Sequence, residues 1–529
     1  MPDNNIINGK TVSREGLWRP GYHFTPARGW MNDPVGLIFY RGQYHLFYQY
    51  NPYSCNWGSM HWGHAVSTDL ARWKDLPIAL YPDQSYDAHP EGGCFSGCAV
   101  EHEGKLFVFY TGSVKKDGHT VQSQCMAVSE DGVHFRKWKL NPVIPHPPEE
   151  GVEDFRDPKV LYHDGMWYMV VSGAVGDAQL PSSDGRIYLY ASEDLYTWEY
   201  RGILLRSGHR LGSMFECPDL FYLDGRWVLT CSPMNHPRYN KAMYCIGDVD
   251  FENCRFEISR IGCLDYGYDY YAQQSFTDAS GQRTGIAWMN GWLWMPWCSN
   301  WGPTGSEGWR GALSFPRRLT VMPDDTLRSY PAASWEKLIL PGAEYRDLVV
   351  REEKVCLDTP SDNCYALRLK LRIGQAVSRN LEIGLMDDGT QCAILRVDLM
   401  TGILALDMDR SDRCRKGVAS CVLEVPECVE DTLELMVLVD HSCVEVFAQN
   451  GSTCLSCNIY PEKNQTGCWL RTPYKETVIE QILLNPMDTA YEREGEGINI
   501  QADDGDADGD TGYGRIEEKK EGKEETLSA

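Results

Sequence analysis

Four stretches, Gly42-Gln-Tyr-His-Leu-Phe-Tyr48, Gly104-Lys-Leu-Phe-Val-Phe-Tyr110, Gly165-Met-Trp-Tyr-Met-Val-Val171 and Gly225-Arg-Trp-Val-Leu-Thr-Cys231, share one pattern: a glycine opens an aromatic, apolar strand. Their glycines at 42, 104, 165 and 225 are spaced by 62, 61 and 60 residues. About 25 residues further on a second feature recurs, Ser67-Thr-Asp69-Leu-Ala-Arg-Trp73, Ser129-Glu-Asp131-Gly-Val-His-Phe135 and Ser192-Glu-Asp194-Leu-Tyr-Thr-Trp198. Ser and Asp make a turn there, and the aromatic residue four positions later anchors the next strand. A looser fifth unit runs from Gly281 to Trp288. A rhythm near 60 residues with several short strands per unit predicts the blades of a five-bladed β-propeller, each sheet burying its faces against its neighbours.

Working outward, residues 1–322 are expected to form the propeller and 323–340 a linker with a short helical turn. Beyond it, alternating strands such as Cys364–Ile373, Cys392–Met400 and Leu433–Asp440 predict a β-sandwich over 341–487. The fold class is therefore all-β, a five-bladed β-propeller followed by a C-terminal β-sandwich. Residues 488–529 form an acidic tail expected to be disordered. Within it Asp504, Asp506 and Asp508 match a calcium loop, but Arg515 stands where that loop requires glutamate.

Composition excludes several functions. Of 529 residues 43% are hydrophobic and 12% aromatic, too much buryable surface for a disordered chain. A net charge of −25 without a basic patch argues against nucleic acid. No apolar run is long enough to span a bilayer, and Met1 to Pro20 has no secretion-signal core, so no membrane is involved and a cytoplasmic protein is expected. The 20 cysteines read as buried free thiols rather than a zinc site or disulfide framework.

Counting back from the repeating glycines, Asp33 lies nine residues before Gly42, Asp157 eight before Gly165 and Glu216 nine before Gly225. Three acids in one place in three blades should converge at one mouth of the central channel. The second blade offers Phe95 or Ser96 at that place. Crowded carboxylates repel, so one should keep its proton while another ionises, which is the equipment of a glycosidase. Trp30, Trp57, Phe95, Trp292 and Trp294 provide flat faces for a sugar, and Asn32, Gln49, Ser96 and Arg156 provide hydroxyl partners. Taken singly, such aromatics pack cores and Asp-Pro makes turns; the shared phase of three acids carries the functional reading.

These motifs resemble glycoside hydrolase family 32, the invertases, inulinases, levanases and sucrose-6-phosphate hydrolases. Trp30-Met-Asn-Asp33-Pro-Val-Gly36 is similar to its sucrose-binding box, Phe155-Arg-Asp157-Pro158 to its Arg-Asp-Pro motif and Glu216-Cys-Pro-Asp-Leu220 to its Glu-Cys motif. Phe95-Ser-Gly-Cys98, Leu264–Ala272, Trp309–Pro316 and Asp440–Phe447 agree as well. The resemblance implies a retaining β-fructofuranosidase acting on sucrose or short fructo-oligosaccharides, with Asp33 as nucleophile, Glu216 as acid/base and Asp157 as transition-state stabiliser. It further implies a fructose subsite of Asn32, Gln49, Trp57, Phe95, Ser96, Arg156, Asp269 and Trp292. No metal or organic cofactor is implied, and the partner is a small carbohydrate. Val35 and Cys98 depart from the family pattern, and Val35 keeps a fructosyltransferase in view. An inverting arabinan-type hydrolase and a non-catalytic carbohydrate-binding propeller also fit three acids on such a scaffold. The leaving group, the placement of Lys115, Lys116 and Arg210, and the oligomeric state are left open by the sequence.

Overall fold

The structure, a computed structural model, describes residues 14–236, 242–292, 301–375, 378–414, 416–425 and 431–491, with the strand residues 6–7 and 10–11. Trp294, the calcium-like aspartates and all but the first residues of the acidic tail lie outside the described residues.

The repeating glycine is a turn residue. Arg41-Gly42, Glu103-Gly104, Asp164-Gly165 and Asp224-Gly225 all have positive φ at both positions, between 47° and 87°. They join strands paired Tyr40 to Gln43, His102 to Lys105, His163 to Met166 and Leu223 to Arg226. These are two-residue hairpin loops of the left-handed kind, whose twist matches that of the flanking strands and whose second position favours glycine. The Ser-x-Asp feature is equally regular. The Ser67, Ser129 and Ser192 hydroxyls accept the N–H of Leu70, Gly132 and Leu195 at 2.8–2.9 Å. The Asp69, Asp131 and Asp194 carboxylates accept two further N–H groups each. One set of turn bonds thus closes the same corner of three sheets.

Each unit supplies an innermost strand: β1 (Gly29–Tyr40), β2 (Gly93–His102), β3 (Val152–His163), β4 (Met214–Leu223) and β5 (Tyr271–Thr277). Three antiparallel strands follow outward in every sheet. β1 packs against β2, β2 against β3, β3 against β4, β4 against β5, and β5 against β1, so the five sheets close a ring. After its second strand, Arg283–Trp288, the fifth blade makes a long excursion whose Trp309–Arg310 pairs in parallel with Gly29–Trp30 on the inner edge of the first blade. Gly311 follows at φ 94°, where a Cβ would lie 2.0 Å from Met31 O.

One expected boundary changes. Of the stretch 323–340 expected as linker, Leu327–Pro331 is the outer strand of the fifth blade, paired with Arg317–Val321, and only then does a 3-10 turn follow at Ala333–Leu338. Its alternating burial, Leu327, Ser329 and Pro331 inward, is the strand signal.

Two six-stranded antiparallel sheets follow. One has Cys364–Arg372 and Thr432–Asp440 at its centre, the other Asn380–Asp387 and Ala393–Asp398. Their inner faces share one apolar cluster that includes Leu367, Leu369, Val437, Ile383, Leu395 and Leu470. Propeller and sandwich are joined by a buried ionic network. Arg317 donates to Asp265 at 2.8 Å and, closely, to Glu445; His23 bridges Asp440 and Glu445 at 2.9 Å each. Burial alone would push His23 down, but its two carboxylate hydrogen bonds hold it protonated to about pH 9. Burial likewise opposes ionisation of Glu445, yet Arg317 and His23 bring it down to about 2. No helix among the described residues is long and apolar enough to cross a membrane.

Candidate active site

Every innermost strand carries a β-bulge at the same level. The ladder breaks between Met31 and Pro34 in β1, Cys94 and Gly97 in β2, Arg156 and Lys159 in β3, Glu216 and Asp219 in β4, and Tyr271 and Gln274 in β5. In each case two residues on the inner strand oppose one on its partner, which re-aims side chains and frees backbone groups. The first bulge residue has positive φ in three blades: Asp157 (65°), Cys217 (51°) and Ala272 (53°).

The freed backbone groups are taken up by the neighbouring blade, as burial requires. Asp157 N–H donates to Thr111 Oγ1 at 3.0 Å, Cys217 N–H to Asp157 Oδ2 at 2.9 Å, and Ala272 N–H to Ser232 Oγ at 2.7 Å. The carbonyls of Cys94, Phe155 and Cys217 accept from the side-chain amides of Gln49, Gln124 and Gln274, each at 2.9 Å. The bulges therefore lock the blades to one another while they present the site.

They also correct the phase read from the sequence. Relative to the bulge, Glu216 is the residue just before it, Asp157 the first residue within it and Asp33 the second. Counting from the hairpin glycine puts all three close to one position; β1 takes two more residues than β3 or β4 from its bulge to that glycine, so the count for Asp33 slips by two. Three successive places of the bulge, not one, carry the acids.

Nevertheless they meet. A cavity of about 610 Å³ is lined by Asp33, Asp157 and Glu216 together with Asn32, Gln49, Trp57, Phe95, Ser96, Arg156 and Trp292. Cys217, next to Glu216, touches both aspartates: its N–H bonds Asp157, and its thiol lies 3.5 Å from Asp33 Oδ2. Ser96 donates to the same Asp33 oxygen at 2.7 Å, while Asp33 Oδ1 is buried with no partner among the described residues. Glu216 accepts from Arg156 Nη2 at 2.8 Å through Oε1 and closely from the Tyr271 hydroxyl through Oε2. The second fork of Arg156 holds Asp154.

The charges follow. Burial raises Asp33 to about 6, helped by the charge of Glu216 and opposed by hydrogen bonds from Ser96, Asn32 and Cys217. Burial raises Asp157 further, to about 7, with Arg156 opposing and Glu216 and Asp33 adding to the rise. Arg156 is pushed down by its own burial, but the surrounding carboxylates outweigh this and hold it protonated. Carboxylates that ionise at different pH in one sugar-sized cavity can divide nucleophilic, proton-transferring and charge-stabilising work.

Asp269 is not in this cavity. Expected in the fructose subsite, it is fully buried at the sandwich seam, where Asn458 N–H donates to its carboxylate at 2.8 Å and its own N–H to Ser456 O at 2.9 Å. It lies just ahead of β5, outside the bulge that presents the other residues. Trp30 is buried too; its indole N–H donates to Asn32 Oδ1 at 2.8 Å, so it positions Asn32 instead of offering a face. Val35 packs in the apolar cluster with Phe47 and Trp62, and Cys98 accepts the Val160 N–H at 3.1 Å; neither lines the cavity.

Sequence reading missed Asp154, Glu91, Thr120, Gln122, Gln179 and Tyr271, and left Lys115 unplaced; all but Tyr271 line the cavity. Lys115 pairs with Glu91, whereas Lys116 and Arg210 do not line it. Tyr271 could have been found by aligning β5 on the bulge, where it occupies the place of Glu216. Asp154 stands two residues before Arg156, on the same strand face. Glu91 and Lys115 carry no repeat signal. One group of potential metal ligands occurs among the described residues, Cys364, Asp440 and His441. Its donors are committed: Asp440 accepts the N–H groups of Gly21, Tyr22 and His23, and His441 Nδ1 bonds Arg19 O.

Residues 23–331 match the family described as glycosyl hydrolases family 32 N-terminal domain, and residues 335–482 the corresponding C-terminal domain. A sucrose-6-phosphate hydrolase of Zymomonas mobilis is 36% identical, over 84% of this chain and 88% of its own. A raffinose invertase of Escherichia coli is 32% identical, over 89% and 95%. Among solved structures, a Bombyx mori β-fructofuranosidase in complex with sucrose superposes with a TM-score of 0.76 at 27% identity, over 90% of this chain and 96% of that one.

Proposed function

The chain belongs to glycoside hydrolase family 32, and we propose that it is a retaining, exo-acting β-fructofuranosidase in which Asp33 is the nucleophile, Glu216 the general acid and base, and Asp157 the stabiliser of charge on the fructosyl ring. The observation that carries this reading is the meeting of the three acids around Cys217, from three blades, in one cavity. Asp33 fits the nucleophile because one oxygen is anchored by Ser96 and the other has no partner among the described residues. Above about pH 6 it is ionised.

In the first step Asp33 Oδ1 forms a bond to the anomeric carbon while the bond to the leaving oxygen breaks and Glu216 gives that oxygen its proton. In the second, Glu216 takes a proton from water, the water oxygen bonds the anomeric carbon, and the Asp33 ester breaks, restoring both carboxyl groups to their starting states. Arg156 and Tyr271 hold Glu216 in place throughout. Asp157, fixed by the Cys217 N–H, bonds ring hydroxyls more strongly as positive charge develops. Asn32, Gln49, Trp57, Phe95, Ser96, Arg156 and Trp292 would hold the fructosyl unit.

Incubation with sucrose, raffinose and levan, followed by NMR of the first fructose released, tests the assignment. Release as the β anomer, lost in Asp33→Ala, is expected; no release from any of the three, or release with inversion, overturns it. We further infer residence in a reducing cytoplasm, supported by the buried thiols of Cys94, Cys125, Cys217, Cys231 and Cys245 outside any disulfide. Recovery of the protein outside the cell by fractionation would contradict this.

A further inference from the structure

Granting the fructosidase reading, we propose that the cavity selects a neutral leaving sugar, and that Glu91 excludes a phosphorylated one by occupying Lys115. The cavity lining is rich in carboxylates and poor in cations. Outside the residues assigned to fructose, its described charged lining is Glu91, Asp154 and Lys115. Among the described lining residues five carboxylates, Asp33, Glu91, Asp154, Asp157 and Glu216, face two cations, Lys115 and Arg156.

Both described cations already have carboxylate partners. Arg156 is divided between Asp154 and Glu216. Lys115 is paired with Glu91. The Lys115–Glu91 pair is hydrated, with side chains 45% and 61% exposed, so it is a matter of charge compensation and not of burial. Lys115 beside it holds the Glu91 carboxyl below its usual range, so the carboxylate persists through the working pH. A sugar phosphate carries close to two negative charges at neutral pH and is held most strongly where arginine or lysine is free to meet it. Here it would displace Glu91 from Lys115 and then face that carboxylate and Asp154.

A neutral sugar meets no such conflict. Thr120, Gln122 and Gln179 line the same cavity and offer hydroxyl and amide partners, and the carboxylates of Glu91 and Asp154 accept from sugar hydroxyls. Gln122 is held in place by the Phe155 N–H on its carboxamide oxygen at 2.7 Å, which keeps its amide nitrogen as a donor. The chemical class of substrate is thus an unphosphorylated fructoside such as sucrose or raffinose, although relatives of the chain are named for the phosphorylated sugar.

The test is the ratio of kcat/KM for sucrose 6-phosphate to that for sucrose, measured on the wild type, on Glu91→Gln and on Glu91→Gln combined with Lys115→Met. The wild type should favour sucrose at least about tenfold. Glu91→Gln should raise the ratio about tenfold, the size of one like-charge contact in a hydrated cleft, and adding Lys115→Met should cancel the rise. A wild type that prefers sucrose 6-phosphate, or a ratio unmoved by Glu91→Gln, overturns the proposal and leaves the fructosidase reading standing. Failure of both substrates to release fructose overturns the two together.

Discussion

Removing the Ser96 hydroxyl isolates the electrostatics of Asp33. Ser96 Oγ donates to Asp33 Oδ2 at 2.7 Å, and both side chains are buried. A hydrogen bond to a buried charged group contributes about 1.5–3 kcal/mol, which corresponds to about one to two pKa units. Ser96→Ala therefore moves Asp33 from about 6 to about 7–8. The lost donor had favoured the carboxylate, so the shift is upward and the acid limb of activity moves to higher pH. At pH 5.5 about one quarter of the wild type but only about one hundredth of a variant titrating at 7.5 would be ionised, a loss of roughly 20-fold. At pH 8.5 both are ionised, and only the pH-independent loss of a sugar contact remains. The assay is the pH profile of kcat/KM for sucrose, which reports the free enzyme. Asp157 shares the cavity, so the limb is a property of both aspartates, but Ser96 donates to Asp33 alone. Ser96→Thr, which keeps the hydroxyl, should retain the wild-type limb. An acid limb that stays put or moves to lower pH in Ser96→Ala would refute the reasoning.

Two further outcomes follow from the buried charges. Asp33 and Asp157 hold their protons in the folded protein to about pH 6 and 7, above the ordinary carboxylate range; the folded state binds the extra protons, so their contribution to stability is complete below about pH 4 and is lost as pH rises through 7. Asp157→Asn should therefore abolish activity yet raise the thermal midpoint at pH 8, by an amount on the order of 2–4 kcal/mol in stability, with little gain at pH 4; equal midpoint shifts at both pH values would count against the burial argument. Arg317 is fully buried between Asp265 and Glu445, so Arg317→Met strands two carboxylates at the sandwich seam and should cost about 3–5 kcal/mol by denaturation; a loss below about 1 kcal/mol would show that the network does not hold the two parts together.

The architecture was legible because its signal is local. Each hairpin needs glycine at a left-handed position and each corner needs Ser and Asp at fixed offsets, so the blades announce themselves one by one through Gly42, Gly104, Gly165 and Gly225. The fifth blade was blurred because its hairpins are interrupted by the excursion that carries Trp309. The site was legible in membership but not in phase. Bulges shift residue counts without leaving a composition signature, so Glu216 appeared level with Asp33 although it stands before the bulge. Asp269 was misplaced for a different reason: its partner, Asn458, is 189 residues away, and a pairing between propeller and sandwich has no local trace. Glu91, in the turn ahead of β2, and Lys115, near the end of the strand Lys105–Lys116, stand where no repeat constrains the residue. Leu327–Pro331 read as linker because Pro and Ser dilute a strand whose partner lies on one side only.

The parallel pairing of Trp309–Arg310 with Gly29–Trp30 has a consequence for biogenesis. The strand bearing Asp33 leaves the ribosome early, but the segment that docks on its inner edge, with the Gly29 N–H donating to Gly308 O at 2.9 Å, is synthesised some 280 residues later. At translation rates of about 5–20 residues per second that interval is roughly 14–56 s. Through it the nascent blades stand as an unclosed arc with one raw inner edge, and the nucleophile waits for its chamber. A ribosome stalled before residue 310 would release a chain that holds all three acids and no working enzyme.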